Sequence, residues 1–224
     1  MPDKNRFIAE AAGVIIKHPL LSLVDINGEP ALIGTITLID QKENPIDNYQ
    51  IKILCGQFPH KFPLVFETGG KIPKNIDWHM YEQTGNCCLC IPPEERKLCN
   101  MGFSLVSFMD DFVLPYFFHQ TYRRKNGFFR DEWQHGIAGL YAYYSDLFAT
   151  TNIFEIIRLL EKIVAGGPPH RNSPCLCGSG QKYRHCHKER VKSVFIENRA
   201  EITSDISLLK QFAVMAALAM PIIA

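Results

Sequence analysis

Two clusters of sulfur and imidazole side chains hold the chemistry available to this sequence. In the first, Pro174-Cys175-Leu176-Cys177-Gly178-Ser179-Gly180-Gln181-Lys182-Tyr183-Arg184-His185-Cys186-His187, the spacing is C-x-C-x(8)-C-H. Gly178 and Gly180 permit the tight reversal that returns the last pair to the first. Four soft or borderline ligands, Cys175, Cys177, Cys186 and His187, would close a tetrahedral structural zinc site with no position left for water. His185, one residue before Cys186, competes with His187 for the fourth place. The second cluster, Asp77 to Pro92, includes His79, Asn86, Cys87, Cys88 and Cys90. A thiolate is the best nucleophile among ordinary side chains at neutral pH, so a loop cysteine beside a hydrogen-bond donor suits acyl transfer. Two other readings of this loop stay open: a metal held by the thiols and His79, or cysteines buried as small hydrophobes. Adjacent cysteines diverge in extended backbone, which counts against one ion taking both Cys87 and Cys88.

Positioning such clusters takes a folded framework, and the composition supplies one. The 224 residues are 46% hydrophobic and 21% charged, enough for a sizeable core and too apolar for a disordered tail. The net charge of +1 hides a split: residues 1–167 carry 16 Lys and Arg against 19 Asp and Glu, whereas residues 168–200 carry 7 against 2. An electrostatic partner, nucleic acid or an acidic protein face, would therefore meet the second region through Arg171, Lys182, Arg184, Lys188, Arg190 and Lys192. Solvation alone accounts for such a surface equally well, so there is no strong case for nucleic acid. The eight clustered cysteines suit a reducing compartment. The N-terminal run carries Glu10 and no secretory cleavage pattern, and the apolar stretch Phe212–Ala224 is short for a membrane span. These features point to a cytoplasmic protein without membrane association.

Phe7, Ala11, Val14 and Ile15 recur at helical spacing until Pro19. Leu32–Ile39 and Tyr49–Leu54 read as strands, with hairpin signals at Asn27-Gly28 and Glu43-Asn44-Pro45. Gly56 to Cys99 reads as one long irregular stretch, and Phe103–Phe118, Ile137–Phe148 and Ile153–Val164 read as helices. The order of helix, meander, loop and helices predicts an α+β fold. Ala165-Gly166-Gly167-Pro168-Pro169 marks the boundary: a domain over 1–165, a linker over 166–173, a zinc module over 174–190 and a tail over 191–224, expected to be helical.

Several strings resemble the ubiquitin-conjugating enzymes. Phe58-Pro59-His60-Lys61-Phe62-Pro63-Leu64-Val65 is similar to the proline-bearing run at the end of that family's meander. Gly85-Asn86-Cys87-Cys88-Leu89 matches its Gly-x-Ile-Cys-Leu, and His79 precedes it. The resemblance implies an N-terminal helix, an antiparallel meander, a catalytic loop and C-terminal helices. It makes Cys88 the thioester-forming residue, with Asn86 or His79 stabilising the oxyanion, since Met80-Tyr81 stand where the family has Pro-Asn. Cys88-Leu89-x-x-Pro92, Ser104-Leu105-Val106-x-Phe108 with Val113-x-Pro115-Tyr116-Phe117, and Glu132-Trp133-x-His135-Gly136-x-x-Gly139-x-x-x-Tyr143-Tyr144 resemble more closely the bacterial members found in antiphage defence islands. Ordinary helix packing accounts for the last two strings as well. This implies a cyclic-oligonucleotide (CBASS-type) defence setting and a protein substrate with an activated C-terminus, ubiquitin-like or a nucleotidyltransferase (CD-NTase), passed to an amine. An activating partner would supply the substrate. The alternative is a non-catalytic adaptor that binds such a partner, with zinc purely structural. Residues 174–187 resemble the SEC-C zinc motif, which assigns the fourth ligand to His187.

Overall fold

A computed structural model describes residues 1–129, 136–192, 194 and 199–219. The chain divides into two compact units, Met1–Trp133 and Gln134–Ala224. In the first, α1 (Lys4–Lys17) starts where the Asp3 carboxylate accepts from the Arg6 N–H at 2.9 Å, and it buries Phe7, Ala11 and Val14 along one face. Strands β1 (Leu21–Ile26), β2 (Glu29–Ile39), β3 (Pro45–Leu54) and β4 (Leu64–Glu67) form an antiparallel sheet in the order β1-β2-β3-β4. Asn27 and Gly28, at φ 55° and 82°, make the two-residue hairpin between β1 and β2. Tyr49, Ile51 and Ile53 of β3 alternate into the core, which is the period-two pattern of the sequence. At Gly34 (φ 148°) β2 passes so close to Leu20 that an added Cβ would stand 2.0 Å from its carbonyl oxygen.

Within the stretch expected to be irregular, the chain forms β4 and a helix, α2 (Pro92–Met101). Pro92 and Pro93 at the first helical positions and Glu94-Glu95 in the first turn are the start signals that nucleate α2. Next come α3 (Leu105–Phe108), a π turn (Met109–Val113) and α4 (Leu114–Asn126). The π turn lies just before Pro115, which has no N–H to give to the carbonyl four residues back. The start of α3 is capped by Ser104 and by Glu10 of α1, whose carboxylate accepts from the Leu105 N–H at 2.7 Å.

Aromatic rings weld these pieces together. Phe58 meets Phe7 and Phe103 edge-on at 5.9 and 5.4 Å, and Phe62 meets Phe103, Phe108 and Phe112 at 5.1, 5.0 and 4.8 Å. On the sheet, the Tyr49 ring lies 4.6 Å from Phe117, and its hydroxyl shares a 2.8 Å hydrogen bond with Thr121, pinning α4 to β3.

The second unit comprises α5 (Gly136–Phe148), α6 (Ile153–Gly166), a compact loop around a short 3-10 turn (Tyr183–His185), and α7 (Arg199–Ala219). The glycine-proline segment does end α6, at Gly166. The division into units nevertheless falls at 133/134 rather than at the segment proposed from composition, because Leu140, Tyr144, Ile156 and Leu160 share one core with Cys175, Tyr183 and Val191. Helix α7 packs against α5 and α6 through Ile202, Ile206 and Leu209 and accepts a 2.7 Å hydrogen bond from Tyr144 at Asp205. The sheet and helices establish a mixed α and β architecture.

Phe58 is fully buried where α1, the proline-bearing run and the approach to α3 converge. Phe58→Ala is expected to cost about 3–5 kcal/mol, read as a fall in the denaturation midpoint of the purified chain; an unchanged midpoint would remove this cluster from its role.

Candidate functional site

The cysteine loop is held by backbone hydrogen bonds. Asn75 caps the 3-10 turn Ile76–Trp78 by accepting from the Trp78 N–H at 3.1 Å, and His79 takes a left-handed conformation (φ 53°) that reverses the chain. Met80 then bridges antiparallel to Cys87, the Tyr81 N–H donates to Asn86 O at 3.0 Å, and the Cys88 N–H donates to His79 O at 2.8 Å. Gly85 closes the turn with a 2.7 Å bond to Tyr81 O. The whole unit hangs from β4, because the Cys87 N–H donates to Val65 O at 2.7 Å. At the end of β4 the buried Glu67 carboxylate accepts from the Gly69 and Lys71 N–H groups at 2.8 and 3.0 Å, ordering the exit toward the loop.

Extended backbone sends neighbouring side chains to opposite faces, and here this separates the two adjacent cysteines. Cys87 enters the first unit's core, where burial pushes its thiol up to about 12. Cys90 is also raised, by burial and then by Glu95 and Glu94. Cys88, 5% exposed and outside that core cluster, instead lines a pocket, and its thiol donates to the Tyr81 hydroxyl at 3.4 Å. Burial, and after it the nearby Cys88, raises the Tyr81 phenol, so its proton stays in place to turn toward the sulfur when the thiol ionises. All eight cysteines are free of disulfides.

The pocket is a small, partly open cleft of about 30 Å³. One wall is the loop, with His79, Cys88 and Leu89. The other is the helical run, where the π turn presents Asp111 and Phe112 and α4 presents Pro115, Tyr116, His119 and Gln120. Side chains of α4 hold the two walls together: the Tyr116 hydroxyl donates to His79 O at 3.1 Å, and Gln120 Nε2 donates to Trp78 O at 2.8 Å. Phe129 completes the pocket, its ring 4.6 Å from that of His79. Arg123 lies over both Trp78 and Phe129, at 4.1 and 4.6 Å from the ring centres, and its guanidinium donates to Asp77 O.

Of the residues singled out from sequence, Cys88 and His79 share this pocket. Asn86 does not line it: its Oδ1 accepts from the Thr84 hydroxyl and its Nδ2 faces Cys87 O at 3.4 Å. The loop carboxylates Asp77, Glu82, Glu94 and Glu95 do not line it either, and Glu95 is tied to the Phe62 N–H at 2.8 Å. Sequence reading missed Tyr81, Asp111, His119 and Gln120 as site residues. Residues Glu132 to His135 of the aromatic string lie outside the described residues, whereas Gly139 and Tyr144 are buried in the packing of α5.

In the second unit, ligand atoms of Cys175, Cys177, Cys186 and His187 lie within 4.8 Å of one another. Among the described residues this is the His, Cys, Asp and Glu group close enough to hold a metal ion, so the cysteine loop does not provide one. His187 Nδ1 lies 3.3 Å from Cys175 Sγ and 3.0 Å from Cys186 Sγ. Its Nε2 is 2.9 Å from Phe148 O, which fixes the ring with Nδ1 turned to the thiols, as a ligating imidazole requires. His185 points elsewhere, accepting from Arg184 Nε at 2.8 Å. Three thiols and one oriented imidazole make a closed tetrahedral donor set of the kind that suits zinc.

Residues 171–189 match the SEC-C motif. No curated protein and no solved structure matches the chain. The SEC-C motif shares the core of α5 and α6, with Cys175 and Tyr183 buried there, while Arg171, Lys182, Lys188, Arg190 and Lys192 stay exposed around it. Among the described residues, no helix is long and apolar enough to cross a membrane.

Burial holds the Cys87 thiol protonated, well above the ordinary thiol range. Iodoacetamide at about pH 8 is expected to modify Cys88 at least about tenfold faster than Cys87 or Cys90, measured by peptide mass spectrometry. Tyr81→Phe, which removes the phenol proton, is expected to slow Cys88 modification several-fold while leaving the melting temperature unchanged.

Proposed function

We propose that this chain is a cysteine transferase of the ubiquitin-conjugating type. The observation that carries the reading is the position of Cys88: a reduced thiol on a pocket wall, hydrogen-bonded to Tyr81 and beside His79, while its two loop neighbours are held protonated by burial. The acyl group arrives as the C-terminus of a partner protein, ubiquitin-like or a nucleotidyltransferase, carried as a thioester on an activating partner. The Cys88 thiolate attacks that carbonyl; a new C–S bond forms, and the old one breaks, returning the carrier's sulfur as a thiolate. An amine then attacks; the C–N bond forms, the C–S bond breaks, and Cys88 leaves as a thiolate while nitrogen loses a proton. His79 would donate to the oxyanion formed in each addition, and alignment within the pocket supplies the rate gain. The bacterial antiviral setting rests on the family resemblance.

The adaptor reading has two observations in its favour: Cys88 is 5% exposed, and the Asn86 amide is engaged inside its own turn. One experiment separates the two. Co-expression with the neighbouring genes, followed by non-reducing gels, should reveal an adduct that disappears on reduction. The adduct should be absent in Cys88→Ala and persist in Cys87→Ala and Cys90→Ala. No adduct under any condition would leave the adaptor.

For the SEC-C motif we propose one structural zinc ion held by Cys175, Cys177, Cys186 and His187. Bound zinc supplies folding energy rather than catalysis. The purified chain should contain about one zinc per molecule, and Cys177→Ser should lose it and lower the melting temperature, whereas His185→Ala should keep both. A metal content near zero in freshly purified protein would rule this out.

A further inference from the structure

A second cleft, of about 330 Å³, opens between strands β3 and β4 and the turn of the cysteine loop. Lys52 and Phe66 stand directly opposite each other on the two strands and form one wall. Thr68, Gly70 and Lys74 follow β4, and Thr84 and Gly85 come from the loop turn. Strand alternation explains the first wall: Ile51, Ile53 and Val65 turn into the core, so Lys52 and Phe66 turn outward. The space lies at the lower end of the range of about 300–1,000 Å³ usual for small-ligand sites.

Positive charge in this cleft exceeds what the protein neutralises. Lys71 is paired with Asp47 at 2.8 Å, and the same carboxylate takes Arg124 at 2.8 Å. Lys52 and Lys74 make no ion pair among the described residues, and the Lys52 ammonium instead lies over the Phe66 ring, 4.5 Å from its centre. The one carboxylate in the wall, Glu67, is buried and committed to main chain: its oxygens accept from the Gly69, Lys71 and Ile72 N–H groups at 2.8, 3.0 and 3.5 Å. The Thr84 hydroxyl donates to Asn86 Oδ1, whereas the Thr68 hydroxyl makes no hydrogen bond among the described residues. Gly85, at φ 73°, brings the loop backbone in without a side chain; an added Cβ would stand 4.0 Å from Lys74 Nζ.

An anion fits such walls, and the donor types select among anions. A planar carboxylate suits the fork of an arginine, which no wall of the cleft supplies. Two separate ammonium groups act as point charges and, with a free hydroxyl, suit the oxygens of a tetrahedral phosphoryl group. The Phe66 ring adds apolar surface for whatever that group is attached to. We propose that this cleft binds a small phosphate monoester, its phosphoryl group held between Lys52 and Lys74 with Thr68 donating, and its organic part against Phe66. The site shares no lining residue with the Cys88 pocket and does not rest on the transferase reading.

Isothermal titration of the full chain with phenyl phosphate tests this, at about pH 7.5, where the ester is largely dianionic, and at constant ionic strength. Binding should saturate. Benzoate keeps the ring but presents a planar carboxylate, and it should bind about tenfold less tightly. Lys52→Ala and Lys74→Ala should each weaken phenyl phosphate about tenfold, while Lys42→Ala, at an exposed lysine between β2 and β3, should leave the affinity unchanged. Amide NMR shifts of Thr68, Gly70, Thr84 and Gly85 should move on titration, which locates the ligand. Because phenyl phosphate and benzoate are compared on the unaltered chain, a lysine variant that loses stability does not blunt the test. Absence of saturable binding, equal binding of benzoate, or an equal loss in Lys42→Ala overturns the proposal. A phosphoserine peptide binding more than about tenfold tighter than phenyl phosphate would overturn it in favour of a protein ligand.

Discussion

Everything at the candidate site depends on one short length of paired backbone. Residues 79–81 and 86–88 run antiparallel to each other, and the Cys87 N–H ties the pair to Val65 of β4. Because side chains alternate along an extended chain, that single tether decides which cysteine faces the core and which faces the pocket. A slip of one residue would turn Cys88 toward the core and Cys87 toward the pocket. Which of these neighbouring thiols faces the pocket is therefore set by the sheet, before any pKa is considered.

The helical wall opposite is positioned by different means. Aromatic contacts from Phe58 and Phe62 fix α3 and the π turn, the Tyr49–Thr121 hydrogen bond fixes α4, and Tyr116 and Gln120 reach across to the carbonyls of His79 and Trp78. The loop and the helix thus brace one another through main-chain acceptors. That arrangement leaves the side chains of Cys88 and His79 to line the space between.

How much of this could be read from the sequence followed the locality of each signal. The SEC-C ligands were legible because a closed metal site demands fixed spacing and turn glycines within a few residues. The meander was legible from alternation in β2 and β3 and from Asn27-Gly28. Helix α2 was not recognised, although its paired prolines and glutamates are local start signals, because the surrounding loop residues masked its short apolar pattern. Asp111, His119 and Gln120 stayed hidden for a different reason: on an aromatic-rich helix, residues at i, i+8 and i+9 look like any half-buried face, and only tertiary packing brings them opposite a cysteine 23 to 32 positions earlier. The division between the two units was hidden likewise. Gly166-Gly167-Pro168-Pro169 has every property of a linker, yet the faces of α5 and α6 find their core with the SEC-C motif, and nothing local encodes that choice.

The wide turn at Met109–Val113 sets the phase of all that follows. A helix advances by about 100° per residue, so the extra residue it accommodates rotates α4 by that much relative to an uninterrupted helix. Loss of one residue from this turn would swing Tyr116 and Gln120 away from the carbonyls they hold while leaving α3 seated in its aromatic cluster. Length in this segment is thus under tighter constraint than identity: related chains can exchange Met109 or Val113 for other hydrophobes, but an indel there would dismantle the site and spare most of the fold.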